Sequence, residues 1–197
     1  MDRSVERAHL DVMHQQVTIE VARLMEGFYS NLEDGLFELA YRDADTQYQG
    51  YCFNLMRELR FRRQALMDLF VKRMNQSSTR WYESAEDGAE LGELDQLAME
   101  MSRKCSAHFS GLLGKIAERS EAVAGRKHSL ASLPIGPYQV ARQFVHSCHR
   151  IDFDTAAIQV VQDLFLRFVL DRMGAAYGQF LQKLNTAGLE GEHALSA

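Results

Sequence analysis

The run His146-Ser147-Cys148-His149, with Asp152 and Asp154 just beyond it, contains the residue types from which a metal or acid/base site could be built. Histidines at i, i+3 share one side of a helix, and neutral imidazoles and carboxylates are competent zinc ligands. The same carboxylates could serve as general acid and base. A zinc enzyme needs more than this, however, and no His-Glu-x-x-His or Glu-x-x-His run accompanies the pair. Histidines near a helix C-terminus also complement its dipole, and Asp152-Phe153-Asp154-Thr155 offers capping oxygens to a following helix, so both features have a simpler structural reading. No catalytic residue, cofactor site or metal ligand is assigned from them.

Other reactive types are no better placed. Ser106, Ser110 and Ser147 stand outside any Gly-x-Ser-x-Gly context, and Gly111-Leu112-Leu113-Gly114-Lys115 lacks the spacing of a phosphate loop. Cys52, Cys105 and Cys148 are odd in number, widely separated and without a Cys-x-x-Cys pair, which points to burial as small apolar groups rather than to a disulfide framework or structural zinc. Met25, Met56, Met67, Met74 and Met101 fall mostly on apolar stripes and read as core fillers.

The densest charge lies in RELRFRR, residues 57–63, within a chain of formal net charge −5. At about 100° per residue, with Arg57 at zero, Leu59 and Leu66 fall near 200° and 180°, so Arg57 and Arg60 face water. Arg62 and Arg63 flank the apolar stripe, where their stems can pack while the guanidiniums reach out or pair with a carboxylate from another helix. Charge runs on helices are usually solvated faces with boundary ion pairs, and this one reads so first. Phe61 is the exception. It falls near 40°, beside Arg57, and an exposed aromatic between arginines has the composition of a protein contact. Arg57, Arg60 and Phe61 are therefore the candidate partner surface. A nucleotide or nucleic-acid adaptor using Arg57, Arg60 and Arg63 ranks last, because one helix contributes and no reader motif accompanies it.

Helices must position all of these groups. Leu10, Met13, Val17, Val21, Leu24 and Phe28 follow the three-and-four spacing of an amphipathic helix over residues 5–29. Asp34-Gly35 reads as a turn, followed by a short helix at 36–40. Asp45-Thr46 is an N-cap candidate for a long helix to about Met74, stopped by the polar run at 75–79. The acidic, glycine-containing stretch to Gly92 marks an internal boundary near 76–92. Leu94, Leu97, Met101, Cys105, Phe109, Leu112 and Ile116 predict one further long helix, and a polar loop follows at 118–133. Pro137 suits the first turn of the next helix, which carries Val140, Ala141, Phe144 and Val145 on its apolar face. The final stretch, with Ile158, Val161, Leu164, Phe165, Phe168 and Val169, is kinked or broken at Gly174 and capped by Gly188.

The expected fold is all-α: an antiparallel bundle of about five to seven helices, forming a single domain over 1–189 with a disordered tail at 190–197. Only two prolines, 46% hydrophobic residues and no long apolar run agree with a helix-rich chain that does not insert in a membrane. The charged start MDRSVERAHL lacks a secretory core, which favours the cytoplasm. The acidic balance, 22 basic against 27 acidic residues, disfavours a dedicated nucleic-acid binder.

Leu36-Phe37-Glu38-Leu39-Ala40, Tyr51, Met56-Arg57-Glu58-Leu59-Arg60 and Arg62-Arg63 form one group of family-like motifs. Pro134-Ile135-Gly136-Pro137, Asp152-Phe153-Asp154, Leu164-Phe165, Val169-Leu170, Gly174 and Tyr177 form another. Over about 32–189 the chain resembles the N-terminal helical part of a large family of proteobacterial proteins of unknown function, whose members are sometimes labelled thymidine phosphorylase. Members of that family are much longer, so the resemblance implies a fragment or short relative of a bacterial cytoplasmic protein. The combined expectation is a non-enzymatic protein-interaction or regulatory module without a cofactor. Its partner is another protein, or a second copy in a homo-oligomer. The alternative is a metal-dependent or acid/base enzyme at His146, His149, Asp152 and Asp154.

Overall fold

The apolar period that begins at Leu10 does not stop at Asp34-Gly35. Leu32, Leu36 and Ala40 extend it, all buried, and in the computed structural model α1 runs unbroken over Arg3–Arg42. The structure describes residues 3–42, 45–83, 92–124 and 129–186. The expected turn at Asp34-Gly35 is thus corrected to helix interior, and the reason for the glycine is a close approach. A Cβ on Gly35 would lie 2.6 Å from Cδ2 of Leu164, so this position lets a neighbouring helix seat its leucine against the α1 backbone.

Helix α2 spans Thr46–Glu83, also longer than expected. The polar run at 75–79 does not end it, because Ser78 and Thr79 turn their hydroxyls back to donate to the carbonyls of Met74 and Asn75 within the same helix. Trp81, placed by sequence in a linker, is buried in the core instead. The remainder of the expected boundary, 84–91, lies outside the described residues, as do Gly188 and the tail at 190–197.

The helices α1 and α2 form an antiparallel hairpin. Contacts step in opposite directions along the two chains: Phe37 with Phe53, Glu33 with Arg60, Tyr29 with Arg63, and His14 with Trp81. At about 1.5 Å per residue, forty residues make a rod of about 60 Å, so the hairpin is the long axis on which the shorter helices pack.

Those shorter helices are α3 (Glu93–His108), α4 (Ser110–Ala124), α5 (Pro137–Arg150), α6 (Thr155–Phe168) and α7 (Gly174–Thr186). Seven α-helices and no strand occur among the described residues, which agrees with the expected all-α bundle. None of them is long and apolar enough to cross a membrane. The single helix expected from Leu94 to Ile116 is two, divided at Phe109 (φ −93°, ψ 8°). The hydrogen-bond ladder nearly survives this break: Phe109 N–H still donates to Cys105, and its carbonyl accepts from Leu113. Its ring packs edge-on to Tyr177 at 5.3 Å and lies against Gly174, where a Cβ would stand 3.0 Å from the ring. Helix α4 extends into the expected loop as far as Ala124.

Several local signals are realised directly. Pro137 occupies the first turn of α5, and Asp154 caps α6 by accepting from Ala157 N–H at 2.7 Å. Asp152 does not cap. It adopts a left-handed conformation (φ 64°) in the α5–α6 connection. The break near Gly174 precedes the glycine: α6 ends at Phe168, a single 3₁₀ turn covers Leu170–Arg172, and Gly174 opens α7. At the centre of the core Phe144 of α5 stacks on Phe165 of α6 at 3.9 Å, with Phe28 of α1 edge-on to both.

Candidate protein-contact surface

The metal-like residues do not converge. His146 turns toward α3, where its Nε2 lies 2.8 Å from Oδ1 of Asp95, and Arg142, one turn earlier on α5, donates its Nε–H to the same oxygen at 2.7 Å. His149, three residues on, is exposed, Asp152 holds its side chain 93% exposed, and Asp154 is committed to its cap. Sharing a helix side is not enough to share a site when the neighbouring helix takes only one of the two rings. Among the described residues no group of three or more His, Cys, Asp or Glu side chains is gathered as a metal site would require.

Asp95 was not visible to sequence reasoning. It lies in the first turn of α3, where an acidic residue is explained by the helix dipole, and its partner is 51 residues away. Partial burial raises its carboxyl pKa, but hydrogen bonds from Arg142 and His146 outweigh that and hold it below the usual value. The result is a polar clasp between α3 and α5.

The cysteines offer no nucleophile. All three are buried and none is in a disulfide, as expected from their spacing. Burial, with Asp171 alongside, pushes the Cys105 thiol up to about 12, and its Sγ–H donates to Asp171 Oδ1 at 3.0 Å. Ser147 is buried and donates to the Gln143 carbonyl. The cavity between α1 and α7, about 250 Å³, is lined by Met13, Val17, Ile19 and Phe180, with Glu20 and Lys183 as its only ionised side chains.

The arginine run, by contrast, divides by helical phase. Arg62 is drawn inward: it donates to the Ile151 carbonyl, pairs with Glu58 at 3.2 Å and lies over the Phe153 ring at 5.5 Å. Arg63 lies over the Tyr29 ring at 5.0 Å, so its partner on α1 is an aromatic face rather than the expected carboxylate. Arg60 reaches across the hairpin to Glu33 at 2.6 Å. Arg57 is exposed, and its one hydrogen bond among the described residues is a long one, 3.5 Å, to Asn54 in its own helix. Phe61 is 82% exposed, the most exposed of the large apolar side chains described.

Phe61 does not stand alone. Phe53, two turns earlier on α2, is also exposed, and across the hairpin Phe37 and Tyr41 of α1 are half or more exposed. These three rings touch one another: Phe37–Tyr41 at 4.5 Å, Phe37–Phe53 at 6.1 Å and Tyr41–Phe53 at 6.5 Å. One side of the hairpin near its tip therefore carries a cluster of three exposed rings, with Arg57 and Phe61 one and two turns farther along α2. Isolated exposed apolar residues are ordinary, but a contiguous patch of aromatics with arginine is the composition enriched where proteins meet.

No curated protein and no solved structure matches the chain. A family model does, and over nearly the whole helical region rather than from the middle of α1 onward. Residues 6–188 match the N-terminal domain of DUF1631, described as a protein of unknown function, and the chain belongs to that family.

Proposed function

We propose that residues 1–189 act as a single, non-enzymatic helical module of a bacterial cytoplasmic protein, and that the module works by binding a protein partner through Arg57, Arg60 and Phe61. The observation that carries this reading is the 82% exposure of Phe61 beside an arginine with no carboxylate partner among the described residues. Leaving a phenylalanine ring in water forgoes about 2 kcal/mol of burial, and a partner that covers it recovers that term. Phe37, Tyr41 and Phe53 enlarge the surface, while the Arg60–Glu33 pair supplies a polar rim. The nucleic-acid reading is weakened by the same geometry. Arg60 is paired with Glu33 and the Arg63 guanidinium lies over the Tyr29 ring, so the three arginines do not present one open cationic face to a phosphate backbone.

Photo-crosslinking tests the proposal. With benzoylphenylalanine in place of Phe61, irradiation in host cells is expected to trap a discrete protein adduct, whereas the same probe at Lys72, exposed farther along α2, is not. Equal labelling at both positions, or none at either, overturns the reading.

A further inference from the structure

We propose that the occupant of this face is a second copy of the chain, docked through a two-fold axis that sets α1 of each protomer against α2 of the other. The inference rests on the contact-surface reading above and adds the partner's chemistry. Its support is a pair of complementary charges left open on the same side of the hairpin.

On α1, Asp34 lies one helical turn before Phe37 and two before Tyr41, so it shares their face; it is exposed and makes no hydrogen bond or ion pair among the described residues. The neighbouring acids are committed, Glu33 to Arg60 and Glu38 to Arg42. On α2, Arg57 lies one turn after Phe53 and likewise has no carboxylate partner. The cross-hairpin contacts Phe37–Phe53 and Glu33–Arg60 put Asp34 and Arg57 at nearly the same height along the rod.

A two-fold axis parallel to the hairpin and between its helices exchanges α1 and α2 while preserving height. Applied to this face, it brings Arg57 of each protomer to Asp34 of the other, twice, and lays the rings of Phe37 and Tyr41 over the partner's Phe53. This is the self-complementarity that an isologous interface demands: a patch carrying both a donor and its acceptor, placed so that one rotation satisfies both. A partner of strongly acidic or strongly basic character would satisfy one of the two charges and oppose the other. The contacts named here are two ion pairs and a few rings, so a weak dimer with a dissociation constant on the order of 1–100 µM is expected.

Sedimentation velocity over a concentration series tests this. The natural chain is expected to pass from monomer to dimer. Arg57→Glu and Asp34→Lys alone should each weaken dimerisation at least about tenfold, because each sets like charges face to face across the interface. The combined variant Arg57→Glu/Asp34→Lys should recover affinity to within about threefold of the natural chain, since the swap restores both pairs. Circular dichroism on each variant confirms that the helices remain. A natural chain that stays monomeric throughout, single reversals without effect, or a double variant no better than the singles overturns the dimer. If the chain is monomeric while the probe at position 61 still traps a different protein, the dimer fails and the contact surface stands; if neither occurs, both fail.

Discussion

Replacing Phe165 with alanine is expected to cost about 3–5 kcal/mol of folding stability. The ring is fully buried, stacked on Phe144 at 3.9 Å with an interplanar angle of 15°, and edge-on to Phe28 at 6.1 Å. It is the point at which α1, α5 and α6 share one contact. Truncation removes the ring's transfer free energy and leaves a cavity that the three helices cannot close without losing contacts elsewhere. Leu164→Ala, at the Gly35 crossing, should cost about 2–5 kcal/mol by the same mechanism. Urea unfolding followed by circular dichroism measures both. A loss below about 1 kcal/mol at Phe165 would mean that the aromatic stack is not part of the cooperative core.

The second large effect is a dependence on pH that originates at His14. This side chain is buried between α1, α2 and α7, stacked on Phe180 at 5.5 Å and edge-on to Trp81 at 6.2 Å. Burial among rings disfavours the imidazolium and pushes the pKa down to about 4 from an ordinary 6.5. Above pH 6.5 His14 is neutral in both folded and unfolded chains and contributes no slope. Between pH 6.5 and about 4 the unfolded chain takes up a proton that the folded chain refuses, so stability falls as the pH falls; below about 4 this contribution levels off. At about 1.4 kcal/mol per tenfold change in proton affinity, the whole window is worth on the order of 3 kcal/mol. Asp95 acts in a separate, more acidic range: its lowered pKa contributes stability that is lost only as the pH falls below the ordinary carboxylate value of 3.8. His14→Phe should therefore flatten the stability profile between pH 4 and 6.5 and leave the more acidic limb in place. An unchanged slope in that variant would assign the effect to other groups.

The fold class was legible because most helices bury one stripe, and a stripe at three-and-four spacing needs no tertiary information to be seen. The same rule placed Phe61 outside the core and Arg62 at its border. Pro137 and Asp154 were legible for a related reason: a first-turn proline and a capping carboxylate act within a few residues of themselves. What failed were mostly positions whose role is set by another helix. Gly35 has the composition of a turn, and only Leu164, 129 positions away, makes it a packing notch. That misreading hid the larger surface, because a turn between a helix at 5–29 and a separate short helix at 36–40 prevented the phase of α1 from being carried to Phe37 and Tyr41. The break at Phe109 involves neither glycine nor proline and is tied to Gly174 and Tyr177 across the core. The Asp95–His146–Arg142 clasp was beyond reach for the same reason. Its histidine was noticed, but as half of a pair on one helix, whereas the structure pairs it with an aspartate on another.

The central claim is that the aromatic and arginine face of the hairpin lies outside the chain's own folding energetics and is kept for a partner. The unfolding free energy of the double variant Arg57→Ala/Phe61→Ser, measured at sub-micromolar concentration where the chain is monomeric, tests it most directly, with Arg62→Ala as the reference from the same run of seven residues. The double variant is expected to remain within about 0.5 kcal/mol of the natural chain. Arg62→Ala, which strips a donor from the Ile151 carbonyl and a cation from the Phe153 ring, should lose about 1–2 kcal/mol. A loss of about 2 kcal/mol or more in the double variant would mean that the chain itself uses Phe61 for packing, and would contradict the account.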